Sequence, residues 1–236
     1  MGDAGDSIRA KNSAWSFGGD VSEHFDAHVE KSVPLYHEGH DLVAKLSDFF
    51  LNDGSTCYEL GCSTGALSEQ ILARNAHKDI KCIGVDLEES MIEKARERCA
   101  SQSKFTGVVG DIAEIEFEPA DLIVAYYTMQ FTRPRNRQLI FDRLYEALNW
   151  GGALVLFEKV RAPDARFQDM MTALYTDYKL DRGYQADEIV AKARSLKGVL
   201  EPFSTQGNYD LLKRAGFVDI MTVMKYVSFE GILAIK

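Results

Sequence analysis

The chain has 236 residues, a length that one hydrophobic core can support, because single cores grow to roughly 250 residues before chains divide into domains. Its hydrophobic fraction of 46% excludes a disordered chain, and its net charge of −9 excludes a broad surface for nucleic acids or anionic membranes. The sequence contains no run of about 18 apolar residues and opens with a polar, acidic stretch. We therefore expect a cytoplasmic protein that does not span a membrane.

The N-terminal region changes character at Val21. Residues 1–20 are rich in Gly, Asp and Ser and show little periodicity, which predicts a flexible arm that Trp15 and Phe17 are able to dock. From Val21 onward, apolar residues at helical spacing predict one helix, and Pro34 predicts the start of a second. We expect these helices, residues 21–51, to form part of a cap.

Strand and helix patterns alternate through the middle of the chain, from residue 55 to residue 158. The predicted strands are 55–60, 80–86, 105–110, 122–126 and 153–158, and the predicted helices are 66–74, 90–100 and 135–148. Such alternation is typical of an α/β fold, with a parallel, doubly wound sheet and helices on both faces.

Two long helical patterns, 164–180 and 186–196, follow where one crossover helix would suffice, so the insertion 162–206 predicts a second part of the cap. A helix at 209–215 and two strands at 217–226 and 231–235 close the chain, and their short connection requires the strands to be antiparallel. The sequence thus predicts a Rossmann-like, seven-stranded, mostly parallel sheet with an antiparallel last strand, in a single domain, 21–236.

Residues suited to nucleoside binding follow three successive strands. Residues 59–65 (ELGCSTG) form a glycine loop, Asp86 ends the second strand, and Asp111 with Ile112 follows the third. The glycines permit close approach of a ligand, and a strand-end carboxylate accepts hydrogen bonds from both ribose hydroxyls. Because carboxyl ends of parallel strands meet at one edge of a sheet, we expect these groups to form one site.

Other ligands and activities fit the glycine loop less well. Ser63 occupies the place of the middle glycine of a dinucleotide loop, and no Gly-Lys-Ser/Thr follows for a triphosphate. The pattern G-x-S-x-G at residues 61–65 also matches a hydrolase nucleophile, but that triad needs a later histidine, and the last one is His77.

These residues resemble the successive motifs of S-adenosylmethionine (SAM)-dependent methyltransferases. More narrowly, residues 32–36 (SVPLY), 128–131 (TMQF), 151–159 (GGALVLFEK) and 215–217 (AGF) resemble the carboxy-S-adenosylmethionine synthases, from about Trp15 to the end of the chain. Those enzymes have the methyltransferase fold and make, from SAM and prephenate, the donor for a wobble-uridine tRNA modification. The resemblance implies SAM as the cofactor and suggests a homodimer.

The resemblance also implies positions for the parts of SAM. Tyr36 would lie near the sulfonium, where cation–π attraction stabilises positive charge. The other implied cofactor contacts are Glu59, Gly61, Cys62 and Ser63 for the methionine part, Asp86 and Leu87 for the ribose and adenine, Met91 behind them, and Asp111 and Ile112 for the adenine.

The chain departs from the synthases at two positions. Tyr126 stands where they carry an asparagine beside the cofactor, and Ala193 aligns with the arginine that holds the donor's extra carboxylate, with Arg194 adjacent. These departures favour a methyltransferase that transfers the methyl group of SAM to a small-molecule acceptor. A carboxy-SAM synthase and a non-catalytic SAM-binding module remain the alternatives.

The acceptor pocket is predicted from aromatic and basic residues. His37 is the candidate general base, Tyr36 is the second candidate catalytic residue, and Arg133 and Arg194 are candidates for an anionic acceptor. The aromatic candidates are Tyr127, Tyr175, Tyr178 and Tyr184. No cysteine or acidic set completes a metal site with the histidines, so no metal is expected.

Overall fold

The computed structural model describes residues 21–236, together with residues 2–3, 9–10, 12–15 and 17. Its helices are α1 (Val21–Ser32), α2 (Tyr36–Leu46), α3 (Ala66–Arg74), α4 (Glu89–Arg98), α5 (Pro134–Ala147), α6 (Ala165–Asp181), α7 (Ala186–Ser195) and α8 (Thr205–Ala215). None of the helices within this part of the chain is long and apolar enough to span a membrane.

Seven strands form one mixed sheet. They are β1 (Thr56–Leu60), β2 (Lys81–Asp86), β3 (Phe105–Val109), β4 (Ala120–Tyr126), β5 (Leu148–Lys159), β6 (Asp219–Tyr226) and β7 (Phe229–Ile235). Their order is β3-β2-β1-β4-β5-β7-β6, with β7 antiparallel to both neighbours and the other pairs parallel. This topology confirms the predicted fold, and the strand order reverses between β1 and β4, where such sheets bind ligands.

The core lies on both faces of the sheet. The side chains of β4 at positions 122–125 (Leu, Ile, Val, Ala) are completely buried. Alternate side chains of a strand point to opposite faces of the sheet, so both faces of β4 are covered. Leu122 and Val124 pack with residues of α2 and α3, whereas Ile123 and Ala125 pack with residues of α5 and α8. The apolar run of β4 thus joins two helical layers.

α1, α6 and α7 cover the carboxyl edge of the sheet and form the cap together with the start of α2, whose later residue Val43 packs against the face of the sheet. Gln185 and Glu188 form a capping box at the start of α7, which satisfies backbone groups that the helix leaves unpaired. The hydroxyl of Tyr175 on α6 donates a hydrogen bond of 2.7 Å to the carbonyl of Ser32 on α1. This bond joins the two separate segments of the cap.

Several boundaries differ from the sequence predictions. Helix α2 begins at Tyr36 rather than Pro34, because Leu35 takes a left-handed conformation with φ of 55°. Helix α8 begins at Thr205, where the hydroxyl of Ser204 accepts a hydrogen bond of 3.1 Å from the main-chain N–H of Gly207. The predicted arm, 1–20, falls largely outside the described residues; in its described part, Trp15 is buried and stacks on His28.

Candidate active site

A cavity of about 840 Å³ lies between the carboxyl edge of the sheet and the cap. The loops after β1, β2, β3 and β4 line one side of it, and residues of α1, α2, α6 and α7 line the other. Trp15 and Phe17, from the N-terminal region, also contribute to the wall. The sheet and the cap therefore build this site together.

The glycine loop after β1 adopts a conformation that most residues avoid. Gly61, Ser63 and Gly65 have φ values of 68°, 54° and 78°. A Cβ on Gly65 would lie 2.9 Å from the Cβ of Ala95 on α4, so this position needs glycine both for its backbone and for space. The loop consequently brings its backbone close to the cavity.

Asp86 stabilises this loop from the end of β2. One of its carboxylate oxygens accepts a hydrogen bond of 2.9 Å from the main-chain N–H of Ser63, and the other accepts one of 3.0 Å from Glu88. Burial raises the pKa of Asp86 above its ordinary value, while these hydrogen bonds oppose the shift. Asp86 is thus held rigidly at the cavity wall.

Glu59 is a buried carboxyl group beneath the loop. The hydroxyl of Ser68 on α3 donates a hydrogen bond to its carboxyl group, and burial raises the pKa of Glu59 to about 8. An ammonium group beside Glu59 would stabilise its ionised form. Glu59 is therefore suited to bind the α-ammonium group of an amino-acid ligand.

Residues that follow β2 and β3 provide an apolar end to the cavity. Met91 and Ile112 are buried there, and Leu87 lies at the mouth with 66% of its surface exposed. The carboxylate of Asp111 accepts a hydrogen bond of 2.8 Å from the main-chain N–H of Ala113. This combination of apolar surface and polar edge fits a planar heterocycle.

A polar clamp connects α1 to the glycine loop. The guanidinium of Arg98 on α4 lies 2.5 Å from the carboxylate of Asp26 on α1. The hydroxyl of Thr64 donates a hydrogen bond of 2.6 Å to the same carboxylate and accepts one of 2.7 Å from Arg98. The clamp holds the first helix of the cap against the loop.

Aromatic groups occupy the centre of the cavity wall. The ring centres of Tyr36 and His40 lie 4.3 Å apart, and the hydroxyl of Tyr126 donates a hydrogen bond of 2.8 Å to the carbonyl of Tyr36. Burial lowers the pKa of His40 to about 3 and raises those of Tyr36, Tyr126 and Tyr127. This part of the wall is therefore uncharged at neutral pH.

Under the cap the wall is basic. The ammonium groups of Lys159, at the end of β5, and Lys179, on α6, lie 4.2 and 4.5 Å from the centre of the Tyr175 ring. Burial lowers the pKa of each lysine to about 8. Among the residues that the structure describes, the other cations that line the cavity are Arg133, Arg161, Lys192 and Lys197.

The structure brings most of the predicted site residues to this cavity. Those in its wall are Tyr36, Glu59, Gly61, Cys62, Ser63, Asp86, Leu87, Met91, Asp111, Ile112, Tyr126, Tyr127, Arg133 and Tyr175. They come from strand ends, from α2, α4 and α6, and from the N-cap of α5, which the fold places around one space.

Four predicted residues do not line the cavity. His37 lies on the outer side of α2, where its imidazole is 3.1 Å from the carboxylate of Glu30. Arg194 follows Ala193, which does line the cavity, and one helical position is a rotation of about 100°. The remaining two are Tyr178 and Tyr184.

Their surroundings explain why these two tyrosines lie elsewhere. Tyr178 stacks beside Tyr175 on the outer side, with the guanidinium of Arg182 at 5.0 Å from its ring centre. Tyr184 is buried behind the wall, and its hydroxyl lies 2.7 Å from that of Ser32.

Sequence reasoning did not assign His40, Lys159 or Lys179 to the acceptor pocket. His40 lies one helical turn from Tyr36, a spacing that places the two side chains on the same face of α2 and could have indicated its position. Lys159 ends a buried strand, a position that points to the carboxyl edge of the sheet. For Lys179 the sequence contains no such signal, because it lies on a mostly exposed helix.

Comparisons with known proteins agree with this geometry. A family model described as a methyltransferase domain matches residues 58–152. The carboxy-S-adenosyl-L-methionine synthase of Campylobacter jejuni is 35% identical over 223 residues, which cover 94% of each chain. The synthase of Staphylococcus epidermidis is 34% identical over 226 residues, which cover 94% of this chain and 97% of that protein.

Solved structures share the fold at lower identity. Human N-acetylserotonin methyltransferase in complex with SAM matches 92% of this chain and 53% of its own, with a TM-score of 0.57 and 18% identity. The pyocyanin biosynthetic protein PhzM matches 92% of this chain and 58% of its own, with a TM-score of 0.65 and 19% identity. The chain thus spans little more than half the length of these two proteins.

The sheet order, the glycine loop and the strand-end carboxylates define a SAM-dependent transferase with the methyltransferase fold. Within that class, the similarity over almost the whole length of both chains is decisive. The chain belongs to the carboxy-S-adenosyl-L-methionine synthase family.

Proposed function

We propose that this chain is a carboxy-SAM synthase, which converts SAM and prephenate to carboxy-SAM, phenylpyruvate and water. The bond between the ring carboxylate of prephenate and its ring carbon breaks, and this carboxylate becomes bonded to the methyl carbon of SAM. The methyl group loses a proton and the prephenate ring loses its hydroxyl group as hydroxide, and the two combine as water. The observation that carries this proposal is the division of the cavity into an acidic end and a basic end.

The acidic end suits SAM. In this proposal Asp86 accepts hydrogen bonds from the ribose hydroxyls, and Glu59 holds the α-ammonium group as a carboxylate. The apolar surface of Met91 and Ile112 receives the adenine, beside Asp111. The backbone of the glycine loop lies close enough to contact the methionine part.

The basic end suits prephenate, which carries two carboxylates. Lys159 and Lys179 face the cavity from β5 and α6, with four further cations in the wall. A neutral methyl acceptor would gain nothing from this many positive charges, whereas a dianion gains electrostatic attraction in a partly desolvated site. The overall charge of −9 makes this local excess of cations more notable.

The uncharged aromatic wall suits the reacting centre between the two ends. Tyr36, Tyr126 and His40 present rings towards which a sulfonium is attracted, and they exclude water. With its pKa near 3, His40 is a very weak base at neutral pH, and burial keeps the phenols protonated. The proposal assigns the proton of the methyl group to the hydroxide lost by prephenate and not to these aromatic side chains.

A methyltransferase is the second candidate, and the observation that favours it is Ala193. This alanine lines the cavity where the sequence comparison with the synthases expects an arginine, and Arg194 does not replace it. The cavity under the cap, about 840 Å³ together with the SAM end, leaves room for a second substrate. That space argues against the third hypothesis, a non-catalytic module whose acceptor space is filled by side chains.

The test is incubation of the protein with SAM, with and without prephenate, followed by mass spectrometry. We expect a product heavier than SAM by one carboxylate, formed only with prephenate and in equal amount with phenylpyruvate. Formation of S-adenosylhomocysteine with other anionic acceptors, and no carboxy-SAM, would support the methyltransferase instead. Binding of SAM without turnover under any of these conditions would support the non-catalytic module.

A further inference from the structure

We propose that Lys159 and Lys179, which both line the cavity, form a carboxylate-binding site around Tyr175, and that this site holds the prephenate carboxylate that is not transferred. The inference rests on the proposed function, because it assigns the second substrate to that site. It adds specificity-determining residues on β5 and α6, apart from the position on α7 where the sequence comparison expects an arginine.

The first observation is the position of the two ammonium groups. Both lie within 4.5 Å of the centre of one aromatic ring, although they come from a β-strand and from a cap helix. The Tyr175 ring is fixed in turn by its hydroxyl, which donates a hydrogen bond of 2.7 Å to the carbonyl of Ser32, and by contact with Phe229. The arrangement is thus built from three segments and does not depend on one mobile side chain.

The second observation is that these charges lack a carboxylate partner. Among the described residues, no ion pair includes either ammonium group. Lys179 is 7% exposed as a residue, and burial of an uncompensated ammonium is unfavourable. Mutual repulsion adds to this cost, since the positive charge of Lys179 contributes to the lowered pKa of Lys159. A bound anion would remove both costs.

The chemistry of the transfer decides which of the two carboxylates of prephenate such a site can bind. The transferred carboxylate must leave prephenate and reach the methyl carbon of SAM, so a firm grip on it by two ammonium groups would oppose the transfer. The pyruvyl carboxylate stays on the molecule throughout and remains in phenylpyruvate. A site that positions the substrate by this group fixes it without restraining the group that moves.

The lysine pair does not replace the arginine that is missing at position 193, because that arginine is expected at the transferred carboxylate. Ala193 lines the cavity on α7, while the lysine pair lies on β5 and α6. Lys159 and Lys179 are therefore assigned to the other carboxylate, which they reach from β5 and α6.

Binding to the protein loaded with S-adenosylhomocysteine tests the site without turnover. Prephenate and phenylpyruvate are titrated by calorimetry into the wild type, the Lys159→Gln and Lys179→Gln variants, and the double variant. Lys213→Gln, on an exposed position of α8, is the matched control. We expect both ligands to bind the double variant about ten- to a hundredfold more weakly, with Lys213→Gln unchanged.

The affinity for S-adenosylhomocysteine reports whether each variant keeps its fold, and we expect it to stay within about twofold. Equal binding of both ligands by wild type and double variant overturns the site. Weakening for prephenate alone overturns the assignment, because the lysines would then hold the transferred carboxylate. Absence of binding of either ligand to the wild type also overturns it.

The outcome for the site is separable from that for the proposed function. If the lysine variants lose affinity for both ligands but the wild type forms no carboxy-SAM, the anion site stands and the synthase activity is wrong. If the wild type forms carboxy-SAM and the variants bind both ligands normally, the activity stands and the anion site is wrong.

Discussion

The two ends of the cavity differ in charge and in origin. The acidic end is built from loops that directly follow β1, β2 and β3, and its groups are fixed by hydrogen bonds such as that from Ser63 to Asp86. The basic end combines β5 with helices of the cap, and Lys159 and Lys179 meet there only through tertiary packing.

The acidic end binds a nucleoside, a task that is common to many enzymes with this fold, whereas the basic end is proposed to bind the second substrate, which is particular to this family. Hydrogen bonds to a nucleoside require fixed groups at the ends of neighbouring strands, and the methyltransferase fold provides that edge to many enzymes. In the proposed function, charges at the end of β5 and on α6 select the second substrate. The following predictions test the two ends separately, from the largest expected effect to the smallest.

The largest effect is expected at the acidic end. Asp86→Ala removes the carboxylate that is proposed to bind the ribose and that also stabilises the loop at Ser63. We expect SAM to bind about ten- to a hundredfold more weakly, measured by calorimetry, because charge-assisted hydrogen bonds are lost. Asp219→Ala, at an exposed position of β6, is the control and retains full affinity. Equal affinity of a folded Asp86→Ala variant would remove Asp86 from the site.

The basic end should respond to alkaline pH. The pKa values of Lys159 and Lys179 are lowered to about 8, so both ammonium groups lose their charge as the pH rises through that value. Tyr175 stays neutral over this range because burial raises its pKa.

We therefore expect the dissociation constant of phenylpyruvate to rise by up to about tenfold per pH unit above pH 8 for each proton lost. Calorimetry of the protein loaded with S-adenosylhomocysteine, at several pH values, measures it. The double glutamine variant should bind weakly at every pH. An affinity of the wild type that stays constant to pH 9.5 would contradict this prediction.

We predict that Glu59 releases a proton when SAM binds. Its pKa is raised to about 8, so the group is largely protonated at pH 7, and the α-ammonium of SAM favours its ionised form. The affinity for SAM should consequently increase as the pH rises from about 6 to 7.5. Calorimetry at pH 7 in buffers of different ionisation enthalpy counts the proton, and Glu59→Gln should release none. Equal proton release by wild type and variant would exclude this role.

The smallest effect is expected for Arg194. Its neighbour Ala193 lines the cavity and Arg194 does not, so Arg194→Ala should change the KM for prephenate by less than about twofold. Steady-state kinetics with a fixed SAM concentration measures this, beside Lys179→Gln as the variant that should raise KM. A large increase in KM for Arg194→Ala would mean that the arginine reaches the substrate and takes the role of the missing one.

The positions of the structural elements and the SAM end could largely be predicted. The helix predicted at residues 66–74 has those same bounds in the structure, and Asp86 and Asp111 were expected together because they end or follow neighbouring strands. His37 and Arg194 were less predictable, because a single step along a helix decides between the cavity and the solvent. Sequence spacing does not fix that rotation once a helix belongs to a cap.

By itself, the amino-acid sequence determined the alternation of strands and helices, the glycine loop and the carboxylates that follow it. These features depend on local periodicity and backbone conformation, which neighbouring residues dictate. Only the tertiary structure decided which cap residues face the cavity and brought Lys159 and Lys179 to one aromatic ring. The physical reason is that this encounter depends on how α6 packs across the sheet, and contacts between distant segments leave no periodic pattern in the chain.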